Sequence, residues 1–237
     1  MNWKLLAGVV GIVMWVGGCA DTYQVKDQDI KRGFLVNVYP LLQPGKEGEA
    51  NLVYMNPKAK WRKYDKIMLD AVTVWLGKDS VATAEADVIP QNDVRALANS
   101  FYKKLSEQLS KDYTIVPSSG PGVMRLSVAL TDVEHGMPFL DTVSTIVPQA
   151  HLLSAGKKLA SGTHSFVGQA SVEARLVDSL SGKLLAAGID RRAGGKKLGK
   201  GGGFWRDVEN IFDYWAAKIR WRLCNQRKGK DCQNPDA

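Results

Sequence analysis

The chain has 237 residues, 45% of them hydrophobic and 24% charged, with a formal net charge of +8. A composition this close to the globular average excludes an intrinsically disordered chain, and the length allows one domain, or one domain with a linker. The basic balance suits anionic partners, whether nucleic acid, lipid phosphates, lipopolysaccharide or cell-wall polymer.

The first residues read "MNWKLLAGVVGIVMWVGGCA". Lys4 precedes an apolar run from Leu5 to Val16, which is shorter than the roughly 20 residues a bilayer-crossing helix needs. A basic start, a short apolar stretch and small residues before a cut are the parts of a secretory signal peptide. The residues "VGGC" resemble the lipobox of bacterial lipoproteins. That resemblance implies residues 1–18 as the signal peptide, diacylglyceryl transfer to the Cys19 thiol, cleavage before Cys19 and acylation of its new amine. The bound lipid is then a covalent anchor, and no cofactor is expected. Each buried methylene adds about 0.8 kcal/mol, so a triacylated cysteine holds a membrane firmly. Ala20, and not Asp, follows the cysteine. By analogy with enterobacterial sorting this implies the outer membrane, with the domain facing the periplasm. An exported protein rarely meets nucleic acid, which leaves lipid, lipopolysaccharide and cell wall as the anionic partners. An ordinary cleaved signal with an incidental Cys19 is the alternative.

With Cys19 lipidated, Cys224 and Cys232 remain. In an oxidising periplasm an even remainder favours a disulfide, here one tying the polar tail 226–237 to the end of a helix; two free thiols are the alternative.

Along the mature chain, residues 19–51 are polar and broken by Pro40 and Pro44. They read as a lipidated N-terminus and flexible tether, with "GFLVNVYPLL" (Gly33 to Leu42) as a segment that docks on the domain. Residues 52–225 read as the domain. Tyr64 to Trp75 is a β-rich apolar run, expected as one strand buried on both faces. After Pro90, the residues Val94, Leu97, Ala98, Phe101, Leu105 and Leu109 keep helical spacing. "YTIVP" is a short strand. Met124, Leu126, Val128 and Leu130 alternate with polar neighbours. An apolar excursion over 137–162 follows, broken by Pro148 and Gly156. From Phe166 to Leu176 alternation is strict, and a glycine-containing turn leads back into a partner strand over Leu184 to Asp190. Finally Val208, Ile211, Phe212, Trp215 and Ile219 form a helical stripe. The order β-α-β-β-β-β-α predicts a single α+β domain, a mostly antiparallel sheet packed by two amphipathic helices.

"GFLVNVYPLL", "NPKAKWRKYDKIMLDAVTVW", "KDYTIVPSSGPGVMRLSVALTDVE", "FVGQASVEARLVDSLSGKLLAAGIDRRAGG" and "YWAAKIRWRL" resemble a family of Gram-negative lipoproteins known only as a domain of unknown function. The resemblance covers about Gly33 to Leu223. More distantly, the element order is similar to the αβ domain of envelope lipoproteins such as the curli-secretion lipoprotein, and to the N-terminal domain of the translocation protein TolB. The family has no assigned catalytic residues, so the resemblance implies none here.

Little in the chain carries chemistry. His135, His151 and His164 show no metal-ligand spacing, and no serine sits in a nucleophile elbow. Asp70 and Glu173 are candidate paired carboxylates, but alternation puts Glu173 on the polar, solvent-facing side of its strand. The tryptophans read as core and rim anchors. Gly194, Gly199 and Lys200 keep the spacing of a phosphate loop, yet Gly201 stands where a magnesium-binding Ser or Thr is needed. What remains there is a glycine-rich linker with Arg191, Arg192, Lys196, Lys197 and Lys200, a candidate contact for anionic surfaces or else a plain solvated loop. The expected function is non-enzymatic: an outer-membrane lipoprotein that binds another envelope component. The alternatives are a subunit of an oligomeric secretion or export assembly, which would use the 137–162 excursion as a contact, and an unrecognised envelope hydrolase. A Cys19→Ala chain is expected to take up no labelled palmitate, and uptake equal to that of the natural chain would sink lipidation.

Overall fold

The computed structural model describes residues 22–25, 33–75, 91–134, 169–194 and 204–236. Nine strands among them form one mixed sheet: β1 (Thr22–Gln24), β2 (Gln43–Pro44), β3 (Leu52–Met55), β4 (Lys66–Leu69), β5 (Thr73–Val74), β6 (Thr114–Ile115), β7 (Val123–Glu134), β8 (Gln169–Asp178) and β9 (Leu184–Gly194). The two helices are α1 (Gln91–Leu109) and α2 (Phe204–Gln226). The spatial order is β2-β3-β9-β8-β7-β4-β6, with β1 added to β9 and β5 to β7. Pairing is antiparallel except where β4 meets β6 and β7, and where β5 meets β7. The fold is therefore the α+β arrangement that the sequence predicts.

Alternation sets the long strands. The register Val128↔Ala174 and Ala174↔Gly188 puts Met124, Leu126, Val128, Val172 and Leu176 on one face. Both helices cover that face. On α1 the stripe Leu97, Phe101, Leu105 and Leu109 is buried, and on α2 so are Val208, Ile211, Phe212 and Trp215. Phe101 stacks on Phe212 with centroids 4.6 Å apart. The helices run parallel, as the ascending pairs Lys104–Asp213 (2.8 Å) and Asp112–Arg220 (2.8 Å) require. Among the described residues no helix is long and apolar enough to cross a membrane.

Three expectations need correction. Tyr64 to Trp75 is not one strand buried on both faces. It is interrupted between Leu69 and Thr73, where the register against β7 shifts by one residue, and there the Asp70 carboxylate accepts from Arg125 Nε (2.9 Å) and Ser127 Oγ (2.6 Å). Trp75 at its end is 47% exposed. The last strand does not stop at Asp190 but runs to Gly194, so Arg191 and Arg192 lie in the sheet and are buried.

Glu173 is the third. It does not face water; it is 0% exposed. Its carboxylate accepts from the backbone N–H of Gly33 (3.0 Å), Phe34 (3.0 Å) and Leu35 (2.7 Å), and from Tyr39 Oη (2.8 Å). The docking segment thus lies on the sheet face opposite the helices, with Leu35 and Leu42 packed on Ala187 and Ile189. A two-turn 3-10 helix, Val36–Leu41, closes the segment. Upstream, Thr22–Gln24 is hydrogen-bonded to the end of β9. Much of the expected tether over 19–51 is therefore fixed structure.

Glu173→Ala leaves three backbone donors and a phenol without their charged acceptor. Hydrogen bonds to charged groups contribute about 1.5–3 kcal/mol each, so a loss of about 3 kcal/mol or more is expected in urea unfolding. A loss below about 1 kcal/mol would show that the segment is not held by this carboxylate.

Candidate functional site

The helices do not cover the whole sheet. Beside α2, on the part of the face made by β3, β8 and β9, lies a cleft enclosing about 130 Å³. That is close to the size of an engineered cavity that takes up benzene. Small residues make the floor: Ala174, Ala186 and Gly188 sit in mid-strand yet are only half-buried. Val53 and Met55 of β3 form one wall, and Trp215, Ile219 and Leu223 of α2 form the other. Each wall follows from periodicity, every second residue on the strands and every third or fourth on the helix.

Charge at the edges is paired within the fold at Glu49, Arg222 and Lys218, while Arg175, which also lines the cleft, lies over the Phe34 ring at 5.1 Å. At the rim Arg222 Nη1 meets Glu49 Oε1 at 3.1 Å. The backbone N–H of Lys46 holds the Glu49 carboxyl below its ordinary value, and Arg222 adds to the effect against the cost of burial. Lys218 bonds Asn234 Oδ1 (3.1 Å) and makes a short ion pair with Asp236, so the C-terminal tail folds back along α2. At the inner end Asp190, 5% exposed, accepts from Trp215 Nε1 (2.8 Å), Gln24 Nε2 (2.7 Å) and the Asn51 N–H (3.2 Å). Burial pushes its carboxyl up, while these donors and Arg192 oppose the shift. Arg192 Cζ lies over the Tyr214 ring, 3.5 Å from its centroid, and the guanidinium donates to Thr22 Oγ1 and the Thr22 carbonyl, both at 3.0 Å. Burial also raises the Tyr214 phenol above its usual range, against the pull of Arg192.

The residues singled out by sequence are distributed as follows. Asp70 and Glu173 are not brought together as a pair, because each is engaged by a different set of donors. Arg191 and Arg192 are strand residues inside the fold, not part of a solvated cationic linker, because the β1 and β8 ladders extend over them. Cys19, Lys196, Lys197, Lys200, the three histidines and the 137–162 excursion lie outside the described residues. Among those described, no cluster of His, Cys, Asp and Glu could hold a metal. Cys224 and Cys232 are joined as a disulfide, with Cα atoms 5.6 Å apart. It fastens the tail whose Asn234 and Asp236 reach Lys218. The cleft itself was not read from the sequence, although three small residues on the apolar faces of β8 and β9 were its signal.

Fold and cleft together define an α+β domain with a large, mostly antiparallel sheet, two helices on one face and an apolar recess beside the second helix. A family model described as protein of unknown function (DUF3313) matches residues 31–219, and the chain belongs to that family. No curated protein matches it in sequence. Among solved structures it is similar to a PelC dodecamer from Paraburkholderia phytofirmans, with 10% identity and a TM-score of 0.38 over 76% of this chain and 96% of that one. It is also similar to a putative neuraminyllactose-binding hemagglutinin homolog from Helicobacter pylori, with 11% identity and a TM-score of 0.36 over 73% of this chain and 94% of that one.

The disulfide closes a short loop, with a sequence separation of 8. Chain-entropy arguments give such a loop about 2.5 kcal/mol of stabilisation. Unreduced, denatured protein is expected to show no reactive thiol from this pair. Reduction is expected to lower stability by about that amount and to expose the tail beyond Gln226 to protease. Two reactive thiols before reduction would contradict the bridge.

Proposed function

We propose that the chain is a lipid-anchored protein of the Gram-negative outer membrane whose periplasmic domain works by binding, with no chemistry of its own. The observation that carries this reading is the cleft. Its walls are apolar, and at its rim Glu49 pairs with Arg222 and Lys218 with Asp236. Asp190, the acid that reaches it, is engaged by Trp215, Gln24 and Asn51. Such a recess suits the apolar part of a partner, a ring or a short alkyl stretch. General acid–base work, by contrast, needs a titrating group free to reach substrate.

A second reading, a subunit of an oligomeric secretion or export assembly, is favoured by a separate feature on the opposite face. Phe34 meets Trp75 edge-on at 6.2 Å, and the same N-terminal segment leaves Val36 62% and Leu41 47% exposed. Apolar side chains gathered in this way mark contact surfaces. Here the domain would associate through the Phe34–Trp75 face, leaving the cleft for a further component.

The dye 1-anilinonaphthalene-8-sulfonate distinguishes the surfaces. Ala174→Leu and Ala186→Leu fill the cleft floor and are expected to abolish most dye enhancement at unchanged melting temperature, whereas Val36→Ser is not. Undiminished enhancement in both filled variants would remove the cleft as a binding surface. Light scattering of the acyl-free domain checks the second reading. An oligomer that Leu41→Glu dissociates supports it, and a monomer at all concentrations counts against it.

A further inference from the structure

We infer that the sheet end formed by Thr22, Gly194 and Gln169 is seated directly on the bilayer that holds the Cys19 lipid, so that the domain stands on the membrane and does not swing from a tether. The inference rests on the reading of Cys19 as lipidated and adds to it an orientation and a contact surface. Its ground is where the folded structure begins. Thr22, Tyr23 and Gln24 pair with Gly194, Ala193 and Arg192, and the Val25 N–H donates to the Arg191 carbonyl at 2.9 Å.

This short strand is not held by its ladder alone. The Gln24 amide donates to the Glu49 carbonyl (2.8 Å) and to Oδ1 of buried Asp190 (2.7 Å). Arg192 in turn binds the Thr22 hydroxyl and carbonyl. Asn51 closes the set, donating to the Val25 carbonyl at 2.9 Å and accepting from the Arg191 N–H at 2.8 Å. Freeing β1 would strand a buried carboxylate and a buried guanidinium, each without part of its partners, which is costly.

Only Ala20 and Asp21 separate Thr22 from Cys19. Three Cα steps, fully extended, reach at most about 11 Å. The polar headgroup region of one leaflet is about 5–8 Å deep. Thr22 therefore lies within roughly one headgroup layer of the surface, and whatever shares its end of the sheet lies close to lipid.

That end is well defined. β9 finishes there at Gly194, and β8 begins there at Gln169 opposite Ala193. α2 also begins there, since a β-carbon on Gly194 would meet Asp207. The parallel α1 starts at the same end and exposes Asn92 and Arg95, while α2 exposes Arg206 in its first turn. The exposed Arg95 faces the headgroup phosphates in this orientation, while Asp93 and Asp207 occupy the first turns of the two helices. The opposite end of the sheet is the β8–β9 turn, where Leu180 is 65% exposed. A strand the length of β8 puts it about 30 Å further from the membrane.

The test uses the lipidated full chain in vesicles of phosphatidylethanolamine and phosphatidylglycerol carrying a headgroup-linked energy acceptor. Single donors are placed at Asn92→Cys and Leu180→Cys, with the Cys224–Cys232 disulfide left oxidised, and palmitate uptake is measured on the same samples. Transfer from position 92 is expected to exceed that from position 180 severalfold. A Tyr23→Pro chain, in which β1 loses a ladder donor, is expected to bring the two values together. Equal transfer from the two positions in a palmitate-labelled chain with native β1 would overturn the seating while leaving lipidation intact. Absence of palmitate would overturn both.

Discussion

A carboxylate taken out of water must be met by donors, or its desolvation dominates the fold around it. Glu173 lies in the middle of β8, where Val172 and Ala174 point to the helices and Glu173 to the other side. Three successive backbone N–H groups and the Tyr39 hydroxyl supply the donors. Burial and the neighbouring charge push the Tyr39 phenol up to about 12, so it remains a donor throughout the physiological range. The donors come from residues 33–39, which obliges the N-terminal segment to lie on this face. From there the chain runs into β2 and β3, and β3 is a wall of the cleft. The recess on one face of the sheet thus depends on a charge buried on the other.

The two faces are finished differently. On the helix face, aromatic side chains fill the space between α1, α2 and β7, with Phe101, Phe212 and Trp215 in mutual contact. Toward β9 the strand residues shrink to Ala174, Ala186 and Gly188, and no third helix among the described residues follows to cover them. On the other face one short 3-10 segment covers Ile189 and Ala187 while presenting Val36 and Leu41 outward. Both faces carry apolar surface beside ion pairs formed within the fold, Glu49–Arg222 and Lys218–Asp236 at the recess among them.

Legibility in the sequence followed the strength of periodic signals. The stripes of α1 and α2 and the alternation of β7, β8 and β9 are long, and a long pattern averages out local exceptions. Glu173 was misread because alternation reports which side a residue faces and not what covers that side. Asp70 broke an apolar run that looked continuous, since its bonds to Arg125 and Ser127 are long-range in sequence. β1 and β2 are two or three residues each, too short for any period, and their polar residues resemble a linker. Arg191 and Arg192 sit beside a glycine-rich stretch and take on its apparent character, although ladder bonds and the Tyr214 ring hold them. The cleft left the faintest trace, because small residues on an apolar face signal space only once the opposing helix is placed.

The order in which these contacts can form follows from their separation along the chain. The surfaces that receive the N-terminal segments are made by β8, β9 and α2, and the bond from Gln24 to Asp190 spans 166 residues. The β8–β9 hairpin, by contrast, closes locally, with Asp178 binding the Ser181 N–H (2.9 Å); that bond and the long-range contact with Lys63 (2.9 Å) hold its carboxyl well below the usual range. Loop-closure entropy makes the local hairpin the earliest of these partners. Residues 33–44, on which the cleft wall depends, can dock only once β8 and β9 have formed the face that receives them.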